Sequence, residues 1–231
     1  MKRFTPLFIY CFIAFPFLQS CNYKAIKGNY TMVEKKISIT DYDEIQLLLP
    51  AEVIYQQISQ EEPFLQVQID ENLFSHLDIS VQGKQLIIRQ NSDSMLQPTR
   101  FKIYTNSKNL SKVQLFGSGD IQLSKAVNAQ NMEIHVSGSG DVKTDSLYCE
   151  NLQVQISGSG DVELKGAATY GDFSVSGSGD IKASNYLLQY LNCNVSGSGD
   201  IDAYVTEEII TSVAGSGAVH YTGEAKLIQK K

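Results

Sequence analysis

Five aspartates recur at a nearly constant spacing in the second half of the chain. A carboxylate repeated in this way could ligate a cation, act in acid–base catalysis or accept backbone N–H groups. The five are Asp120, Asp141, Asp161, Asp180 and Asp200, at successive intervals of 21, 20, 19 and 20 residues, and Ala218 follows 18 residues later. Carboxylates stacked about 4.8 Å apart would repel each other by about 0.9 kcal/mol per pair in water. They must therefore be exposed, hydrogen-bonded to amides or bridged by cations.

Turn aspartates that accept backbone N–H bonds are the interpretation we favour. Calcium bridging is one alternative, but a single carboxylate per repeat does not form a cage of ligands. Catalysis is another, but it needs paired carboxylates or a basic residue beside a metal. The residues two places after the aspartates vary in type, and His76, His135 and His220 share no motif. We therefore predict no catalytic residue, no metal site and no cofactor.

Two other residue types could contact a ligand. Serines stand two places before the aspartate positions, at Ser118, Ser139, Ser159, Ser178, Ser198 and Ser216. Because no base recurs beside them, we interpret them as corner packing. The chain has twelve tyrosines, and five are predicted to point outward: Tyr148, Tyr170, Tyr186, Tyr190 and Tyr204. Tyrosine suits contact with a sugar or a protein, with strand packing as the alternative.

Each aspartate ends a short repeat of the type V-S-G-S-G-D, followed by an apolar residue. Two glycines around a small serine allow a sharp turn, so we predict a corner in every repeat. The corner glycines are Gly117, Gly119, Gly138, Gly140, Gly158, Gly160, Gly177, Gly179, Gly197, Gly199, Gly215 and Gly217. A period near twenty residues is typical of a solenoid in which each repeat is one coil.

Apolar residues alternate with polar ones around every corner, which indicates strands with one buried face. Five places before the aspartate positions lie Leu115, Val136, Ile156, Val175, Val195 and Val213. Seven places before lie Val113, Ile134, Val154, Phe173, Cys193 and Thr211, and one place after lie Ile121, Val142, Val162, Ile181, Ile201 and Val219. Four residues are predicted to point inward at a second corner: Val127, Leu147, Ala167 and Leu187. The sequence thus predicts an all-β parallel solenoid over residues 111–225.

Residues 34–110 are predicted to form an irregular β region that caps the solenoid, because an open solenoid end invites aggregation. The predicted strands are Ile37–Ile39, Ile45–Leu49, Val53–Ile58, Leu65–Ile69, Leu77–Val81, Leu86–Ile88 and Phe101–Tyr104. Residues 220–231 would close the other end.

The first twenty residues are predicted to be a lipoprotein signal peptide. Lys2 and Arg3 precede a twelve-residue apolar run that is too short to span a bilayer. The run ends in L-Q-S-C, which resembles a lipobox and implies lipidation of Cys21. Ordinary secretion or an uncleaved anchor is the alternative. Residues 21–33 would be a tether, and the protein would be an outer-membrane lipoprotein of the cell envelope.

The charge balance argues against nucleic-acid binding. The chain has 19 Lys and Arg against 25 Asp and Glu, a net charge of −6, and no basic cluster. Cys149 and Cys193 are predicted to be free thiols, because they belong to coils two apart and stacking alone separates them by about 10 Å.

The segment D-Y-D-E-I-Q-L-L-L-P at 41–50, the turn G-K-Q-L-I-I at 83–88 and the G-S-G-D train resemble the auto-transporter adhesin, head GIN-domain family of Bacteroidetes. The resemblance covers residues 34–225. It implies a right-handed β-helix related in shape to pectin lyases, without a known catalytic set, and a role in adhesion.

We therefore expect a non-catalytic, membrane-anchored adhesin or binding module with a glycan or an extracellular protein as ligand. A carbohydrate-active enzyme on the same fold is one alternative, and a scaffold that assembles through its coil ends is another. Assembly into a homo-oligomer stays open.

Overall fold

A computed structural model describes residues 25–91 and 94–229. The predicted signal peptide and Cys21 lie outside the described residues. Within the described ranges the chain forms eighteen strands and one short helix, and no helix there is long and apolar enough to cross a membrane. The architecture is a β-solenoid of about six turns built from stacked parallel coils.

The first half carries β1 (Ala25–Lys27), β2 (Met32–Ser38), β3 (Glu44–Leu47), β4 (Glu52–Gln57), β5 (Phe64–Asp70), α1 (Glu71–Phe74), β6 (Leu77–Gln82), β7 (Gln85–Gln90), β8 (Met95–Gln97) and β9 (Lys102–Ser107). The second half carries β10 (Lys112–Gly117), β11 (Asp120–Asn128), β12 (Asn131–Gly138), β13 (Val142–Gly158), β14 (Val162–Gly177), β15 (Ile181–Gly197), β16 (Ile201–Gly215), β17 (Val219–Thr222) and β18 (Lys226–Gln229). The seven strands predicted in the first half are all present, with shifted ends.

The repeats stack in register, as the alternation predicted. Val136 pairs with Ile156, which pairs with Val175, which pairs with Val195. All four side chains are buried, and so is the column seven places before the aspartates. The predicted interior of the coils is therefore confirmed at these positions.

The parallel stack begins before the first G-S-G-D corner. Strand β10 pairs with β3, and β11 pairs with β4, so residues 44–57 form a preceding coil. Antiparallel pairs then cover this end, since β5 lies between β2 and β9 while β6 pairs with β7. This arrangement protects the interior at the first coils, as expected of a cap.

The segment predicted as a tether contains strand structure. Residues 25–27 of β1 pair in parallel with residues 95–97 of β8, and β2 already begins at Met32. The buried carboxylate of Asp70 helps to hold this segment, because it accepts the N–H of Tyr30 at 2.9 Å and the N–H of Thr99 at 2.7 Å. The chain is therefore integrated into the fold from residue 25 onward.

Two of the inward residues predicted at the second corner are placed differently. Leu187 is 43% exposed and Ala167 is only half-buried, whereas Tyr186, Leu188 and Ala168 are buried. Register shifts occur between Lys143 and Leu147 and between Glu163 and Lys165. Beyond these shifts, the number of residues after the aspartate therefore no longer predicts whether a side chain faces the interior or the solvent.

The last coil differs from the prediction as well. Val213 was predicted to point inward, but it is 44% exposed. Strand β17 covers residues 201–204 of β16, and β18 covers residues 208–211. Within the described residues neither strand reaches Val213, so the final stretch of β16 pairs with β15 on one side only.

Candidate functional site

The aspartate column forms a hydrogen-bond ladder between coils. In each step, the Oδ1 atom of one aspartate accepts the backbone N–H at the same position of the next coil. The steps are Asp120 to Asp141 at 3.0 Å, Asp141 to Asp161, Asp161 to Asp180 and Asp180 to Asp200 at 2.9 Å each, and Asp200 to Ala218 at 2.7 Å. The aspartates do accept backbone N–H groups, but from the neighbouring coil. Ala218 ends the ladder, and the described part of the chain stacks no further corner on it.

The corner glycines other than Gly117 leave no room for side chains. Gly138 has φ +140°, and a Cβ there would lie 2.2 Å from the Gly117 oxygen. A Cβ on Gly140 would lie 1.8 Å from the Gly119 oxygen. The Gly117 oxygen instead accepts the N–H groups of Ser139 at 2.8 Å and Gly140 at 3.1 Å. Backbone therefore stacks directly on backbone at each corner, and the exposed serine side chains point away from it.

The Oδ2 atoms of the aspartates are not part of the hydrogen-bond ladder. The Oδ2 atom of Asp161 pairs with Lys182 Nζ at 2.5 Å. Burial raises the pKa of Asp161, but hydrogen bonds from Lys182 and from the Asp180 N–H outweigh this effect and lower it. The described residues contain no group of three or more His, Cys, Asp or Glu side chains that could hold a metal ion.

Carboxylates and a basic residue do come together in one small cleft of about 150 Å³, lined by Glu52, Asp120, Asp141 and Lys143. If the protein were an enzyme, the carboxylates and the lysine of this cleft would be the candidates for its acid and base groups. Glu52 is already paired with Lys102 at 2.5 Å, and Asp120 Oδ1 holds the Asp141 N–H. The cleft is also smaller than the roughly 300–1,000 Å³ usual for a small-molecule site.

The three histidines lie on separate elements. His135 on β12 contacts the Glu133 carboxylate at 3.2 Å, His76 follows α1, and His220 lies on β17. Lys112 and His135 both hydrogen-bond to Glu133 and lower its pKa. The structure thus does not bring the histidines together.

Four of the five tyrosines predicted to point outward are exposed: Tyr148, Tyr170, Tyr190 and Tyr204. Tyr186 is the exception, because it is fully buried and donates its hydroxyl hydrogen to the Ala167 oxygen at 3.0 Å. Burial raises its pKa well above the usual range. Gly166 pairs with Tyr186 in the sheet, but a Cβ on Gly166 would meet the Leu147 oxygen at 2.0 Å, so this glycine reflects close backbone stacking on the preceding coil.

Two of the exposed tyrosines form a stack. Tyr170 and Tyr190 occupy the same register position on β14 and β15, with ring centroids 5.2 Å apart and ring planes inclined by 18°. Beside Tyr170 lies a groove of about 350 Å³, lined by Asn131, Glu133, Asn151, Gln153, Tyr170 and Asp172, with Met132, Leu152 and Gly171 between them. We call this groove the Tyr170 groove.

Sequence reasoning missed an apolar cleft of about 530 Å³ in the first coils. It is lined by Leu48, Leu49, Pro50, Met95, Leu96 and Phe116, together with Arg89, Gln90, Gly117 and Ser118. Three consecutive leucines at 47–49 were the available signal, because alternation must turn one of them outward. That residue is Leu48, which is 41% exposed.

Cys149 and Cys193 are both free, as predicted. Cys193 lies in the inward column, where burial raises its pKa to about 12. The Cys149 sulfur lies 3.4 Å from the Tyr186 hydroxyl. Both thiols therefore serve as packing groups.

Three solved structures from Bacteroides and Parabacteroides species share this architecture. A protein described as a putative adhesin from Bacteroides fragilis is 25% identical, with a TM-score of 0.85, and the match covers 89% of this chain and 96% of that one. Another putative adhesin, from Parabacteroides distasonis, is 28% identical with a TM-score of 0.74, and the match covers 90% and 96%. A protein described as a putative lipid binding protein from the same species is 31% identical with a TM-score of 0.66, covering 90% and 100%.

No protein of curated function shows a significant similarity to the chain. Residues 41–225 match the sequence family described as "Putative auto-transporter adhesin, head GIN domain".

Proposed function

Because the chain belongs to the auto-transporter adhesin, head GIN-domain family, we propose that it is a non-catalytic binding module of the cell envelope, held at the outer membrane by a lipid on Cys21. The observation that carries the binding role is the set of exposed tyrosines on a stacked, rigid sheet. Aromatic side chains on a rigid scaffold offer a large contact area at a low entropy cost.

The aspartate column supports a structural role for the repeat. Each Oδ1 atom is engaged by the amide of the next coil, and the glycines around it are in backbone contact. A carboxylate whose Oδ1 atom is bound to an amide is not available, together with a second free carboxylate, to act as an acid–base pair. The proposed ligand contacts therefore lie on the outward sheet faces, away from the corners.

The anchor places these faces near a membrane. Cys21 lies four residues before β1, and four extended residues span about 14 Å at most. A lipid on Cys21 would hold the first coils close to the bilayer, with the later coils extending from it. The anchored protein faces either the periplasm or the cell exterior.

The anchor is tested by Cys21→Ala, with Cys149→Ala as the control that removes a thiol elsewhere. The Cys21→Ala protein should leave the membrane fraction or remain unprocessed, while the control fractionates like wild type. An unchanged distribution of the Cys21→Ala protein, with its mature N terminus elsewhere, would refute the anchor.

The binding role is tested with the fragment 22–231 on arrays of glycans and extracellular matrix proteins. Saturable binding to a member of either class, without turnover of bound glycans, is the expected result. Absence of binding in both arrays would overturn the proposal. Release of shortened or unsaturated sugars would instead support the enzyme alternative.

The apolar cleft favours a second candidate function, the binding of an acyl chain. Its lining is dominated by Leu48, Met95 and Phe116, and a solved structure of 31% identity is described as a putative lipid binding protein. Displacement of a fluorescent fatty acid tests this idea. Leu48→Gln should weaken binding, whereas Leu187→Gln, at a leucine of similar exposure outside the cleft, should not.

A further inference from the structure

We infer that the Tyr170 groove binds a neutral glycan, with one sugar ring stacked on the Tyr170 ring. This inference rests on the proposed binding function and specifies its ligand class. Its starting point is the combination of one open aromatic face with fixed amide and carboxylate groups in the same groove.

The aromatic face is positioned by strand register. Strand β14 lies between β13 and β15, so Tyr170 stands between Asn151 and Tyr190. One face of its ring is covered by the Tyr190 ring at 5.2 Å, which fixes the ring orientation. The opposite face of the ring is directed toward Asn151 on β13, whose side chain is shorter, and it borders the groove. A flat apolar surface of this kind matches the C–H face of a pyranose ring.

The polar groups of the groove are held by their neighbours and keep bonding capacity. Asn151 donates an N–H to Asn131 Oδ1 at 2.9 Å, and Asn192 donates one to Asp172 Oδ1 at 3.2 Å. Each amide carries two donors and an acceptor, and a carboxylate has two oxygens. The Oδ1 atom of Asn151 and the Oδ2 atom of Asp172 thus remain to pair with sugar hydroxyls, and groups already held in place lose less entropy on binding.

The groove has a floor and a size suited to one or two sugar rings. Gly171 lies beside Tyr170, and a Cβ there would approach Leu191 and Leu188 at 2.8 and 2.9 Å. A side chain at this position would point into the core, where Leu188 and Leu191 are buried, so Gly171 contributes backbone to the floor of the groove. Its volume of about 350 Å³ lies at the lower end of ligand sites.

The charge of the groove selects against anionic sugars. Its lining contains the carboxylates of Glu133 and Asp172 and no cationic side chain. Lys112 pairs with Glu133 at 2.8 Å, so the negative charge that a ligand would meet comes mainly from Asp172, whose contact with Asn192 is to a neutral amide. A uronate or sulfate group would meet like charge here, which disfavours it.

The test compares two tyrosines of matching exposure. Tyr170 is 49% exposed and Tyr148 is 47% exposed, but Tyr148 does not line the groove. The fragment 22–231 would be titrated with dextran, mannan, β-glucan and chitin oligosaccharides, with hyaluronan and heparin as anionic comparisons. Wild type should bind at least one neutral glycan and neither anionic one.

Tyr170→Ala should weaken that binding at least about tenfold, because aromatic anchors dominate binding energy. Tyr148→Ala should bind like wild type, and Tyr170→Phe should keep most of the affinity because it keeps the ring. Asn151→Ala should also weaken binding, and thermal melting of each variant would confirm that it is folded. Equal losses for Tyr148→Ala and Tyr170→Ala would overturn the inference.

Failure of the inference and failure of the proposed function give different results. If 22–231 binds matrix proteins but none of the glycans, the Tyr170 groove is not a glycan site and the binding role stands. If it binds the anionic glycans instead, the stated ligand class is wrong. If it binds nothing in either array, the binding role falls as well.

Discussion

The Oδ1 atom of Asp141 accepts the backbone N–H of Asp161 at 2.9 Å. This single contact ties the corner of one coil to the corner of the next, and it repeats from Asp120 to Ala218. It also explains how a column of carboxylates is tolerated, because each negative charge faces an N–H dipole of the following coil.

Removing one rung of this ladder should destabilise the solenoid. Asp180→Ala leaves the Asp200 N–H without its carboxylate partner. We expect the free energy of unfolding to fall by about 1 kcal/mol. A hydrogen bond to a charged acceptor contributes about 1.5–3 kcal/mol, and the loss of repulsion between neighbouring carboxylates offsets part of it. Urea unfolding of 22–231 measures this. Asp180→Asn, which keeps an acceptor, and Ala218→Asp, which faces no further corner, should each stay within about 0.5 kcal/mol of wild type.

Calcium should leave the stability nearly unchanged. One oxygen of each aspartate is engaged by an amide, and the column offers no cage of ligands around a cation. We expect the Tm of 22–231 in millimolar calcium and in chelator to agree within about 2 °C, because only a ligand bound to the native state raises it. A rise of many degrees with calcium would show that the column binds the ion.

Gly160→Ala should be severely destabilising. A Cβ at this position would lie 2.0 Å from the Gly140 oxygen, and backbone cannot move aside there as a flexible side chain could. We expect a loss of about 3 kcal/mol or more, or failure to fold. Gly83→Ala is the matched control, because Gly83 has φ +63° in open space. It should lose only about 1–2 kcal/mol, from backbone strain alone. Similar losses in both variants would contradict the close stacking of the corners.

Tyr186→Phe should lower the free energy of unfolding by about 1 kcal/mol, because it removes a buried hydrogen bond to the Ala167 oxygen. Tyr204→Phe, at an exposed tyrosine, should change it by less than about 0.5 kcal/mol. Denaturant unfolding of both variants measures the difference. If the Tyr186 and Tyr204 variants behave alike, the assigned burial of Tyr186 is wrong.

Asp70 should make the first coils sensitive to acid. Burial raises the pKa of its carboxyl, but the Thr99 N–H and hydroxyl and the Tyr30 N–H outweigh burial and lower it. A depressed folded-state pKa contributes stability above the unfolded value of about 3.9, and that stability is lost as the pH falls through the folded pKa. Asp70→Asn should therefore be less stable than wild type at pH 7, by about 2 kcal/mol.

The difference between Asp70→Asn and wild type should shrink as the pH falls below about 3.9. Unfolding curves at pH 7, 5 and 3 measure it. Asp78→Asn is the control, because Asp78 pairs with Arg89 at the surface and should contribute less than about 1 kcal/mol. A difference between Asp70→Asn and wild type that does not change with pH would contradict the role of the ionised carboxylate.

The sequence by itself determined the coil and the sides of its strands. Period-two alternation around the G-S-G corner fixes which of Val136, Ser137 and Ile156 face inward, because a strand has only two faces and the corner sets its phase. The same reasoning located most first-half strands and the outward direction of Tyr148 and Tyr170. All of these features depend on residues that are close together in the chain.

The tertiary structure alone decided what depends on register between distant segments. Register shifts at the second corner bury Tyr186 and expose Leu187, which the count from the aspartate could not show. Stacking of β14 on β15 brings Tyr170 onto Tyr190, and stacking of the corners gives each aspartate its amide partner in the next coil. The pairing of β1 with β8 and the apolar cleft arise in the same way. Contacts between residues twenty or more positions apart depend on how whole coils pack, and the local pattern of apolar and polar residues does not predict that packing.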